Sequence, residues 1–273
     1  MTLPSNLRGA SAEAATGLTE QLNQAAGSTD LARVGKDLFA VAEILRSEPA
    51  LRRSATDPGK DRQARAGLMR GLLEGKVNPV SLQLVGEAVA SRWTLARDLA
   101  DALEHLGVVA TVRSAGDADA RRLSDELFAV GRLVNDESEL RNALSDRSRS
   151  VADKRRLLSS LLGDRVLPAT LALAEQALAG SYRTVGVAIE EYQKVAASVH
   201  QESVAEVRVA AALSASDQER LQRTLSAQYG RPVHLNVVVD PELVGGLRIA
   251  IGDDVIDGTV SSRLDEARRA LAG

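Results

Sequence analysis

The stretch from Val233 to Leu271, VHLNVVVDPELVGGLRIAIGDDVIDGTVSSRLDEARRAL, is where the rhythm of the chain becomes that of a sheet. Val233, Leu235, Val237 and Val239 recur with a period of two, which predicts a strand. Asp240-Pro241 turns the chain, and Leu247, Ile249 and Ile251 form the next strand. Gly252-Asp253 reads as a hairpin turn and Val255-Ile256 as the return. Thr259 is placed to cap a last helix carrying Val260, Leu264, Ala267 and Leu271. Upstream, Ala205, Val207, Val209 and Ala211 alternate with Val204, Glu206, Arg208 and Ala210, a further strand. Ser216-Asp217-Gln218-Glu219 reads as a capping box opening a helix with Leu221 and Leu225, stopped by Gly230 and Pro232. Residues 203–273 therefore predict a small α/β domain.

The rest of the 273-residue chain predicts helices. It is 44% hydrophobic but only 2% aromatic, an apolar content of Leu, Ala and Val that suits helix-on-helix packing. With 34 basic and 37 acidic residues the net charge is −3, so no global field draws the protein to nucleic acid or anionic lipid. The absence of cysteine excludes disulfides and thiolate metal sites. The first residues carry no apolar run of signal-peptide kind, and no segment reaches the roughly 18 apolar residues of a membrane span. A soluble protein is expected, reaching a membrane only through a partner.

Helices are predicted from about Ser11 to Ala26, from Asp30 as N-cap to Glu48-Pro49, and from about Asp61 to Glu74 with Leu68, Leu72 and Leu73 inside. Asn78-Pro79 starts a fourth, with Leu82, Val85, Val89 and Trp93 as its inward stripe. A fifth runs from about Thr94 through Leu95, Leu99, Leu103 and Leu106. The pattern then begins again. Phe39 and Phe128 stand 89 residues apart, and at that offset LFAV (38–41) meets LFAV (127–130), Pro79 meets Pro168 and Trp93 meets Tyr182. From 38/127 to 93/182 there are 17 identities in 56 ungapped pairs, more than a Leu/Ala/Arg-rich composition gives by chance. This register predicts an internal duplication of a helical unit. The first helix shifted by 89 falls on the fifth, so the fifth is expected to close the first bundle and open the second. The predicted fold is mainly α: residues 1–116 as a first helical unit, 117–202 as its repeat and 203–273 as the α/β domain, a short sheet with two helices.

Chemistry is sparse. His105, His200 and His234 are far apart, lack a second ligand at helical spacing, and read as solvated positions. Asp253, Asp254 and Asp257 resemble a cation cluster, but Gly-Asp-Asp between apolar strands is hairpin chemistry. Gly245-Gly246 enters a strand, and no phosphate-loop motif is present. Trp93 and Tyr182 read as core anchors. No catalytic residue, cofactor site or metal site is expected.

Val244-Gly245-Gly246-Leu247-Arg248-Ile249-Ala250-Ile251-Gly252-Asp253, followed by Val255-Ile256-Asp257-Gly258-Thr259-Val260 and Arg263-Leu264, closely resembles the delta subunit of the F-type ATP synthase, the oligomycin-sensitivity-conferring family. The resemblance spans roughly residues 118–273, with LFAVGRLV (127–134) similar to the family's helical domain. It implies a non-catalytic stator of the peripheral stalk, on the cytoplasmic face of the cell membrane. The helical domain would bind the N-terminal helices of the alpha subunits, and the C-terminal domain the membrane-anchored b-type subunit. Gly245, Gly246, Ile249, Ile251, Gly252, Asp253, Ile256, Asp257, Gly258, Thr259, Arg263 and Leu264 carry the signature as folding requirements. Two helical units depart from the family's single bundle, and the first, with its own opening helix, is expected to bind the alpha subunits. The rival reading is a free-standing helical adaptor for amphipathic helices.

Overall fold

The computed structural model describes residues 6–199, 203–230, 233–241, 243, 245–251 and 254–259. The chain divides into two compact units at Val199/His200, each described by itself.

The first unit is helical throughout. Its helices are α1 (Ala10–Ala25), α2 (Leu31–Ser47), α3 (Pro49–Thr56), α4 (Arg62–Leu73), α5 (Pro79–Ala90), α6 (Asp98–Ser114), α7 (Ala120–Asp136), α8 (Ser138–Ser145), α9 (Val151–Leu162), α10 (Pro168–Gln176) and α11 (Val185–Val199). Their starts follow local chemistry. Asp30 accepts from the Arg33 amide, Asp61 from the Gln63 and Ala64 amides, and Asn78 from the Val80 amide ahead of Pro79 at the first helical position. One apolar core runs from Leu18 through Leu38, Leu103 and Leu127 to Tyr192.

The 89-residue offset is visible in the structure. Shifted by it, α2, α3 and α4 coincide end to end with α7, α8 and α9, and the first residue of α5 falls on that of α10. Polar contacts recur at the same offset. Asp37 pairs with Arg33 and accepts from the Asn78 amide (2.7 Å) and the Ser81 hydroxyl (3.0 Å), tying α2 to the start of α5. Glu126 pairs with Arg122 and accepts from the Leu167 amide (2.7 Å) and the Thr170 hydroxyl (2.6 Å) at the start of α10. In both places a carboxylate satisfies amides that a helix leaves orphaned at its N-terminus.

Helix α6 serves two sets of neighbours. It packs on α1, α2 and α5 and also on α10 and α11. The pairs α1–α5, α1–α6 and α2–α6 have their counterparts in α6–α10, α6–α11 and α7–α11. Accordingly, all of α6 from Asp98 to Val112 is buried except the half-buried Asp101. Its crossing with α2 is close: a Cβ added to Gly107 would stand 2.6 Å from the Phe39 ring, and one added to Gly35 would strike the Thr111 hydroxyl.

Three expectations need correction. Leu68 and Leu72 are exposed at 39% and 42%, and α4 instead buries Arg65, Met69 and Leu73, because its neighbours α3 and α5 lie on that side. The fifth helix begins at Asp98, so Leu95 lies in the loop before it at 48% exposure. Glu48-Pro49 does end α2, but Pro49 also occupies the first position of α3, which apolar periodicity did not mark.

In the second unit, β1 (Ser203–Val209), β2 (Val233–Val239), β3 (Leu247–Ile251) and β4 (Asp254–Asp257) form a sheet in the order β2-β1-β3-β4. β1 and β2 are parallel, joined through α12 (Ala215–Tyr229), whereas β1–β3 and β3–β4 are antiparallel. Ala205, Val207, Val209, Val233, Ile249, Ile251 and Leu225 of α12 form the core. The cap of α12 is Ser214, which accepts from the Asp217 amide, in place of the expected Ser216. Ala210 and Ala211 lie beyond the end of β1.

Candidate interaction surfaces

The signature residues build a corner of the sheet. Gly246 has φ of 84°, open to glycine without strain, and an added Cβ would run into the Gly258 carbonyl. The Gly258 amide returns a hydrogen bond to the Leu247 carbonyl at 2.9 Å, closing the corner. Ile249 and Ile251 point to one face, into the core with Leu225. They were expected to face the final helix, which, with Gly252, Asp253, Arg263 and Leu264, lies outside the described residues. Ile256 pairs with Ile249 across the ladder and stays 37% exposed. Asp257 accepts from the Thr259 amide (3.0 Å) and hydroxyl (2.7 Å), and these bonds, the amide's first, hold its carboxyl below the usual range. Asp254 and Asp257 are exposed, and no group of three or more His, Cys, Asp or Glu suited to a metal occurs among the described residues. Every described signature residue thus has a turn, ladder or core task.

The helical unit holds a polar cluster that periodicity gave no sign of. Glu104, 2% exposed on α6, accepts from the Tyr192 hydroxyl (2.7 Å), the Ser181 amide (3.0 Å) and Gln176 Nε2 (3.4 Å), and pairs with Arg46. Arg46 also pairs with Asp101 at 3.1 Å. The carboxylate therefore joins α2 of the first bundle to α10, α11 and the loop between them in the second. Burial raises the Asp101 carboxyl, against the pull of Arg46. The Tyr192 hydroxyl is held well above its ordinary range by burial and then by the Glu104 charge. Tyr182 meets Tyr192 edge to face, centroids 5.8 Å apart, and burial raises its hydroxyl too. A cavity of about 510 Å³ opens beside this cluster, lined by Arg46, Arg52, Arg97, Asp101, Glu104 and Tyr182 among others. His105 is buried and not solvated as expected; desolvation lowers it to about 4, the neighbouring Glu104 opposing. His234 is buried as well, and His200 is outside the described residues. Trp93 and Tyr182 are half-buried, the Trp93 Nε1–H donating to the Ala88 carbonyl at 2.8 Å.

The opening helices of the two bundles present different surfaces. α1 exposes Glu13, Thr16, Glu20 and Asn23. At the same offset α6 carries Ala102, His105, Val109 and Val112, all buried. The face that α1 turns to solvent is, on α6, inside the molecule.

The family described as ATP synthase delta (OSCP) subunit matches residues 108–271, from within α6 to the C-terminal domain. The ATP synthase subunit delta of a Nocardioides species is 57% identical over 270 residues, 98% of each chain. That of Thermobifida fusca is 40% identical over 98% of this chain and 100% of its own. That of Streptomyces coelicolor is 40% identical over 98% of this chain and 99% of its own.

Proposed function

The chain belongs to the ATP synthase delta (OSCP) subunit family, and from that premise we propose how it works as a non-catalytic stator subunit of the peripheral stalk. It assembles with the other subunits of the F-type ATP synthase and holds the catalytic head against the rotor while ATP is made. Its link to the membrane runs through partners: no helix among the described residues is long and apolar enough to cross one. We place it at the cytoplasmic face. Its α/β domain engages the b-type stalk subunit, and its helical unit receives the N-terminal helices of the alpha subunits. Several contacts made together give a hold that no one of them supplies.

The first bundle is our choice for alpha-subunit binding. The observation behind it is the contrast between the solvent-facing side of α1 and the buried counterpart on α6. A contact made by the opening helix is open in the first bundle and already occupied by the chain itself in the second. The repeat of boundaries and carboxylate caps at 89 residues supports descent of both units from one ancestor.

The test is a pull-down from detergent-solubilised membranes with the intact protein and with the double variant Glu13→Arg, Glu20→Arg. Co-purification of alpha and b-type subunits is expected with the intact protein, and loss of alpha with retention of the b-type subunit for the variant. Absence of all ATP synthase subunits would turn the reading to a free-standing helical adaptor. Full retention of alpha by the variant would refute the assignment to α1.

A further inference from the structure

We propose that a second surface of the first bundle, the groove between α4 and α5, docks an acidic amphipathic helix of another ATP synthase subunit. The inference rests on the stalk reading but concerns a face apart from the outward side of α1. The groove encloses about 410 Å³. Its floor is small and apolar: Ala66 from α4, and Leu82, Gly86 and Ala90 one turn apart along α5. All four are half-buried with no chain segment above them. The floor is held in place from below by Arg65, 5% exposed, whose guanidinium donates to the Ala90 and Ser91 carbonyls. The groove is preformed.

Gly86 is the telling residue. Glycine inside a helix is destabilising relative to alanine, and elsewhere in this unit the structure gives a reason for it: Gly35 and Gly107 let α2 and α6 cross. At Gly86 nothing lies within 4 Å of an added Cβ. No neighbour within the chain requires the missing side chain, so the close approach it permits is left for another backbone.

The repeated unit supplies the control. At the same offset Ala66 becomes Arg155 and Gly86 becomes Glu175. Glu175 accepts from the Ser159 hydroxyl at 2.8 Å, Ser159 being the counterpart of Arg70, and Arg155 turns to Glu43 of α2. The second bundle thus fills this groove with its own polar side chains, while the first leaves it open.

Charge fixes the occupant. Arg62 and Arg70 line the α4 wall, exposed and without a carboxylate partner among the described residues. Glu87 stands alone on the α5 wall. Eight residues on one helix separate the two arginines by about 12 Å. The fitting partner is a helix with a small or apolar face, two carboxylates about seven or eight residues apart on the flank toward α4, and a basic residue toward α5.

The experiment places a benzophenone amino acid at Gln83, on the lip of the groove, in ATP synthase purified from membranes, and maps the cross-linked peptide. A cross-link to a helical segment of another subunit with carboxylates at that spacing is expected. Gly86→Leu should lower its yield at least tenfold while the thermal midpoint of the free protein holds or rises, since the added side chain meets nothing internal. Arg62→Glu with Arg70→Glu should lower the yield as much, and Arg62→Lys with Arg70→Lys should keep more than half. A complex that co-purifies with no cross-link at Gln83, a cross-link to a second copy of this chain, or one to a segment without carboxylates overturns the inference alone. Failure of the chain to co-purify with ATP synthase overturns the stalk reading and the inference with it.

Discussion

Replacing Glu104 by alanine tests whether the two bundles are held by the buried carboxylate between them. The substitution removes the acceptor for the Tyr192 hydroxyl, the Ser181 amide and Gln176, and leaves Arg46 with Asp101 alone. A buried donor left unsatisfied costs about 1–3 kcal/mol, and breaking one side of a buried ion pair about 3–5 kcal/mol. These costs overlap, and Arg46, with 22% of its side chain exposed, can turn toward water. The expected loss is therefore about 4 kcal/mol, a large share of the about 5–15 kcal/mol that stabilises a typical domain. Urea unfolding of the full chain, followed by circular dichroism and by Tyr fluorescence, measures it. The double variant Arg46→Met, Glu104→Met should lose less than Glu104→Ala, because no uncompensated charge is left behind. A loss below about 1 kcal/mol for Glu104→Ala would refute the claim that this carboxylate ties the bundles together.

Other expectations concern pH, caps and packing. His105 is lowered from 6.5 to about 4, so the unfolded chain binds its proton first. Stability should fall as pH drops through that window, by on the order of 3 kcal/mol for this group. Glu104, Asp101 and Arg46 surround the same cavity as His105, and the raised Asp101 carboxyl opposes part of the fall, since the folded chain there holds a proton the unfolded one releases. His105→Gln should flatten the stability profile between pH 6.5 and 4, measured by denaturant titration at several pH values. Asp37→Ala and Glu126→Ala each remove a carboxylate from a helix start, and each should cost about 1–2 kcal/mol by the same assay. Gly107→Ala should cost about 1–3 kcal/mol, because its methyl group meets the Phe39 ring between two tightly crossed helices.

Much of this structure was legible because local chemistry and apolar period agreed. Asp30 and Asn78-Pro79 mark helix starts, and the repeat of LFAV and Pro carries through to helix boundaries that match at 89 residues. Period failed where it was ambiguous about direction. Leu68 and Leu72 have helical spacing but sit on the open side of α4, and only its tertiary neighbours decide that. Leu95 extended an apolar series into a loop. The cluster around Glu104 had no signal at all, since its members come from residues 46, 101, 104, 176, 181 and 192, and each alone is an ordinary polar residue. The repeat could not announce it either, because the counterpart of Glu104 is Ala15. In the C-terminal domain the glycine and aspartate signature was readable as turn chemistry, and the bonds of Gly246, Asp257 and Gly258 are of that kind.

Helix α6 also has a mechanical meaning. Two bundles strung on a linker would bend at the linker, and each cycle of torque on a stator would be dissipated there. A helix counted by both bundles leaves no such joint: to tilt one bundle against the other, α6 must bend along its own hydrogen-bonded length or give up the core it fills on both sides. The helical part of the chain therefore behaves as a strut, and lengthening it by duplication adds reach without adding a hinge.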